Sequence, residues 1–171
     1  GTDETANKKM LGIDYPGGPE LDKIAEEGNP EKFSFAKPRI KNLDFSFSGL
    51  KTSILYKIRD LSIENPDFIN ENKIDLCASI RKSIVDILLE KLLKASKDKG
   101  IKTLAIAGGV SANRELRRRL LSLDQNGYRV HIPRFEYCTD NAAMVAIAGK
   151  FAFERGEFAS QNVSADPRLK W

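Results

Sequence analysis

Residues 105–116 read AIAGGVSANREL: the end of an apolar run, two glycines, two helix-capping residue types, then the opening turn of a basic, leucine-bearing segment. The apolar run starts at Thr103 (TLAIA, 103–107) and is short, so with Gly108-Gly109 closing it the pattern predicts a buried parallel strand. A helix follows from Ser111 or Asn113, carrying Leu116, Leu120, Leu121 and Leu123, and residues 128–132 (YRVHI) predict a second strand ended by Pro133. Residues 140 to about 155 predict a further helix with Ala143, Met144, Ile147, Phe151 and Ala152 turned inward, stopped by Gly156. Strand, helix, strand, helix is an α/β unit whose crossover should be right-handed. Two strands alone do not fill a sheet, so others must come from elsewhere.

Upstream, residues 73 to about 99 form the longest periodic segment. Ile74, Cys77, Ile80, Ile84, Ile87, Leu88, Lys91 and Leu92 trace one face, and Gly100 is placed as a C-cap. Before it, Leu50, Ile54, Leu55 and Ile58 predict a helix of about three turns from Ser48, broken by Asn65-Pro66. Residues 12–45 hold four of the seven prolines and four glycines, with one short helical stretch at 20–27 (ELDKIAEE). The expected organisation is an irregular segment with one short helix over 1–46, a helical insertion over 47–100, the α/β unit over 101–156 and a polar tail over 157–171. The opening GTDETANKK is polar and leads into LGIDYPGGP with no apolar strand before it, which reads as a cloning scar or an excised fragment.

The 171 residues suffice for one domain with a real core, and 41% hydrophobic with 30% charged residues is the composition of a globular protein. No apolar run approaches a membrane span, so no membrane role and a cytoplasmic location are expected. Cys77 and Cys138 are too few for a disulfide framework and are read as reduced thiols. The net charge of +4 permits a nucleic-acid partner without establishing one. Arg114, Arg117, Arg118 and Arg119 make a basic helix that either touches a nucleic-acid backbone or is a solvated face balanced by Glu115.

Ligands of open α/β sheets bind beyond the carboxyl ends of the strands, where two loops fall. In the first, Gly108 and Gly109 admit close backbone approach and Ser111 or Asn113 caps a helix whose amides suit a phosphate or a base edge. A plain strand-to-helix turn, with Asn113 only an N-cap, explains the same pattern. In the second, EYCTDNAAM (136–144), Thr139 is expected to cap the helix and Asp140 to sit in its first turn, where the helix dipole favours a carboxylate. Acidic residues in that position are routine, and one Asp is a poor metal site by itself. His131 alternates within the second strand and is left out of the site.

In order, the chain reads LGIDYPGGP at Leu11, LDFSFSGLKT at Leu43, AGGVSANRELR at Ala107 and YCTDNAAMVAIAG at Tyr137. This ordered set resembles the bacterial tRNA threonylcarbamoyladenosine transferase family, once known as O-sialoglycoprotein endopeptidase, over residues 11–149 with a further match at Pro167. The resemblance implies part of the second lobe of an actin-like, sugar-kinase and heat-shock-protein ATPase fold (ribonuclease H-like), helix-rich, with the first lobe missing. It also implies transfer of a threonylcarbamoyl group from its adenylate to the adenosine next to the tRNA anticodon. The adenylate, or ATP, would lie between lobes against Gly18, Gly108, Gly109 and Asn113, with Asp3 as a further contact. A divalent metal, iron or zinc, would be held by two histidines of an HxxxH motif and by the Asp matching Asp140. Partners would be tRNA and small proteins of the same pathway.

No HxxxH occurs in this sequence, and no residue is assigned to catalysis. Transfer by placement of two substrates needs both walls of a cleft, so the isolated chain is expected to be inactive and not to hold metal tightly. An exposed sheet edge and bare apolar face predict self-association. Two other readings are a noncatalytic binding or dimerising module, and half of another kinase-like ATPase; metal content and adenylate binding separate the first of these from the transferase fragment. A peptidase has no support, since the chain offers no nucleophile, base and orienter set and no HExxH.

Overall fold

The computed structural model describes residues 11–13, 17–38 and 43–164. Asp3 and the end of the tail, including Pro167 and Trp171, lie outside the described residues.

The described helices and strands run in the order α1 Gly17–Ile24, α2 Phe47–Glu64, α3 Phe68–Lys99, β1 Thr103–Ala105, α4 Arg114–Ser122, β2 Arg129–His131 and α5 Ala142–Glu154. α1 begins three residues before the predicted stretch because Pro19, tolerated in a first turn, helps to start it. α2 runs 18 residues rather than about three turns. It opens where the Ser46 hydroxyl accepts from Gly49 N at 3.3 Å. α3, 32 residues long, starts five residues before the expected point, and Gly100 ends it at φ 66° as a left-handed C-cap.

α3 is the spine. Its first half packs Leu76, Cys77, Ala78 and Ile80 against Leu21 of α1, Ala25 just after it, and Leu50, Ile54 and Ile58 of α2. Its second half packs Val85 and Leu89 against Leu116 and Leu120 of α4, with Ile106, Val130 and Ile132 alongside. The two cores meet α3 on different sides, so it is buried far beyond the single stripe that its spacing predicts. Burial raises the Cys77 thiol to about 11, which keeps it protonated and unreactive; both cysteines are free.

β1 and β2 pair in parallel with Leu104 opposite Val130. Of β1 only Leu104 is buried, so the strand expected to be covered on both faces is covered on one. A larger correction concerns α5, where Met144, Ile147 and Phe151 are each about half exposed instead of inward. No residue of α5 is buried among the described residues. Periodicity records which face needs a partner, not that one is present.

Between the two cores, Asp86 accepts from Lys37 at 3.3 Å, Lys82 at 2.9 Å and Arg119 at 2.6 Å. Burial pushes its carboxyl up, but the hydrogen bonds from Arg119 and Lys82, with Lys37, outweigh this and bring it to about 2. A depressed carboxyl stabilises the fold fully above its ordinary value of 3.8, and that stabilisation is lost as pH falls toward 2. Urea titrations over that window should show about 1–2 kcal/mol of acid-dependent loss that Asp86→Asn removes; an unchanged acid limb in the variant would contradict the assignment.

Candidate functional site

β1 delivers the chain to Gly108, whose φ of 78° and ψ of 177° require glycine. One 3₁₀ turn, Gly109–Ala112, then leads into α4. The turn is closed by Ser111, whose backbone N and Oγ both donate to Gly108 O, at 2.9 and 2.6 Å. Asn113 is the N-cap of α4, its Oδ1 accepting from Leu116 N at 2.9 Å. The Asn113 Nδ2 has no hydrogen-bond partner among the described residues.

Beyond β2, a short turn at Phe135–Tyr137 carries the chain to buried Cys138, exposed Thr139 and exposed Asp140. Thr139 is not the helix cap. Asn141 is, accepting from Met144 N at 3.1 Å while its Nδ2 donates to Thr139 O at 2.8 Å. Asp140 therefore stands just outside α5 rather than in its first turn. Asn outranks Thr as a cap, which shifts the helix start past the Asp.

Arg117, read from sequence as one of a basic run, faces inward between the two loops. Its Nη1 donates to Ser111 O at 2.9 Å and to Cys138 Sγ at 3.7 Å, and its Nη2 donates to Pro133 O at 2.8 Å. The guanidinium lies 4.0 Å from the centroid of the Phe135 ring. Two other cations of the run are also committed, Arg118 to Glu115 and Arg119 to Asp86, while Arg114 is exposed. The basic helix is thus largely internally balanced.

α1 is moored to the same place by Asp22. One carboxylate oxygen accepts from Arg81 Nη1 at 3.2 Å and the other from Arg114 N at 3.2 Å, the first amide of α4. Sequence reasoning missed Asp22, Arg81 and Arg117. The available signal for the first two was a charged residue within an apolar face: Asp22 between Leu21 and Ala25, and Arg81 four residues after Cys77.

Gly18, Gly108 and Gly109 are all exposed, and a Cβ at any of them would meet nothing within 4 Å. The link from the glycine loop toward Asp140 runs through Arg117 and stops at Cys138, two residues short of it, and Asp3 is outside the described residues. A groove of about 360 Å³ beside the glycine loop has mainly apolar walls, among them Leu88, Leu92, Ile106, Val110 and Leu116. Among the described residues no three His, Cys, Asp or Glu side chains gather as a metal site. Asp140 by itself does not fit a tightly held ion. No helix among the described residues is long and apolar enough to cross a membrane.

The parallel strands carry a glycine loop and a second loop at their carboxyl ends, the position at which ligands of open α/β sheets bind. Residues 3–147 match the family described as TsaD, tRNA N6-adenosine threonylcarbamoyltransferase. The chain is similar to proteins of that name from Riemerella anatipestifer (50% identical, covering 95% of this chain and 48% of the relative) and Porphyromonas gingivalis (53%, covering 88% and 44%). The one from Thermosipho africanus is 42% identical, covering 95% of this chain and 48% of the relative. The chain belongs to this family. It spans about half the length of the curated relatives it matches.

Proposed function

We propose that this chain forms one wall of the adenylate site of a tRNA N6-adenosine threonylcarbamoyltransferase. The observation that carries the reading is the set of open glycines. Neither packing nor a positive φ requires glycine at Gly18 or Gly109, and the open space beside both leaves their backbones accessible to a ligand. The reading is supported by the links between the three segments: Asp22 ties the Gly18 helix to the start of α4, and Arg117 ties the glycine turn to the loop before Asp140.

In the transfer, the adenosine N6 would attack the threonylcarbamoyl carbonyl, a C–N bond forming as the C–O bond to the adenylate phosphate breaks and N6 loses a proton. This chain would hold the adenylate by backbone approach at Gly18, Gly108 and Gly109 and by the Asn113 amide, with tRNA as acceptor. Asp140 would give one ligand to a divalent metal, iron or zinc, whose other ligands are not among the described residues. Because positioning of two substrates needs the whole cleft, we read the chain alone as inactive in transfer.

Titrating the isotope-labelled chain with ATP should shift the amide resonances of Gly18, Gly108, Gly109 and Asn113 and leave those of the α2 core in place. Unmoved glycine-loop amides at millimolar ATP would overturn the assignment.

The bare face of α5 favours a second reading, in which this half docks onto another surface or another copy. Val145 and Phe153, about 70% exposed, extend the apolar patch of Met144, Ile147 and Phe151. Light scattering should show a dimer or larger species that Phe151→Glu shifts toward monomer; a monodisperse monomer at high concentration would count against it.

A further inference from the structure

We propose that Arg117 is a positioning residue that locks the glycine loop and the Asp140 loop into one rigid unit. The inference rests on the reading of both loops as ligand-bearing. The two loops leave paired strands, joined as far as Ile106 N donating to His131 O at 3.1 Å, and beyond that bond no backbone hydrogen bond links one loop to the other among the described residues. Arg117 spans them with four contacts of three kinds: Ser111 O in the glycine turn, Pro133 O at the exit of β2, the Cys138 thiol two residues before Asp140, and the Phe135 ring.

A planar guanidinium with five donors in a fixed fork suits this task, since it holds both carbonyls at once while its face stacks on an aromatic ring. Lysine, a single point charge on a flexible stem, reaches one carbonyl at a time. Each end of the strut is anchored. Ser111 is buried and doubly bonded to Gly108 O, and buried Cys138 donates onward to Arg134 O at 3.4 Å. A displacement of Gly108 by a ligand is therefore passed through Ser111 and Arg117 to Cys138, and so to the neighbourhood of Asp140.

The test uses this chain and needs no ligand. Ser111→Ala removes the 2.6 Å bond to Gly108 O and so disturbs the glycine turn directly. In the parent background, its effect on nitrogen–proton NMR spectra should extend beyond residues 108–113 to the amides of 137–141. With Arg117→Met, the same substitution should still shift 108–113 and no longer move 137–141; Arg117→Lys should restore part of the response. Amide exchange at 137–141 should also rise about tenfold in Arg117→Met, as expected when a charge-assisted bond holding a loop is lost.

A merely structural role for Arg117 would loosen α4 generally and leave the transmitted shift intact. Transmission that survives in Arg117→Met, or that is absent in the parent, overturns the proposal. Should Arg117→Met fail to fold, Arg117→Lys is read by the same two measurements, and full transmission with unchanged exchange there overturns it. Failure of ATP to bind would sink the adenylate reading and leave this mechanical result standing, so the two are distinguishable.

Discussion

Replacing Arg81 with methionine is expected to destabilise the chain by about 3–5 kcal/mol, the cost of leaving a buried partner charge unpaired. Arg81 is 9% exposed and Asp22 is 7% exposed. The guanidinium donates to Asp22 O at 2.9 Å, to Asp22 Oδ1 at 3.2 Å, to Ala25 O at 3.0 Å and to Glu26, so it also satisfies carbonyls at the end of α1. Methionine preserves most of the stem's packing, and the loss therefore reads charge and hydrogen bonding rather than volume. Adding Asp22→Asn should recover part of the loss, because the stranded carboxylate is then gone. Urea denaturation followed by circular dichroism measures both variants. A loss below 1 kcal/mol in Arg81→Met, or no recovery in the double variant, would show that the pair does not hold α1 to α3.

Asn113 carries the second large expectation, because only one end of its amide is engaged among the described residues. Oδ1 caps α4 by accepting from Leu116 N, while Nδ2 is left to the proposed adenylate. Asn113→Ala should therefore lose both, weakening ATP binding by about 1–3 kcal/mol and lowering stability by about 1 kcal/mol. Asn113→Ser keeps a capping oxygen but offers no amide donor, so it should melt like the parent and still bind weakly. Asn113→Asp caps equally well and adds a negative charge near a phosphate, so its affinity should fall at least as far. Thermal melting and ATP titration separate these outcomes. Parent-like affinity in all three variants, with only Ala less stable, would make Asn113 a cap and nothing more.

The order of helices and strands was legible from hydrophobic period and from Gly and Pro punctuation, and Gly100 was readable as the end of α3. The four ordered motifs were enough to reach the family, since each is a run of contiguous residues readable without the fold. What a sequence cannot encode locally is which side chain meets which across long separations. Asp22 reaches Arg114 N over 92 residues, and Arg117 reaches Cys138 over 21. Asp22 drew no reading from the sequence and Arg117 was left between a nucleic-acid contact and a solvated face, because a charge is assigned to solvent or to a buried network only by the elements packed around it. The cap at Asn141 instead of Thr139 was a competition between neighbouring residues that backbone geometry settled. The bare face of α5 is the clearest division: its apolar period is a property of the chain, whereas its exposure is a property of what stands beside it.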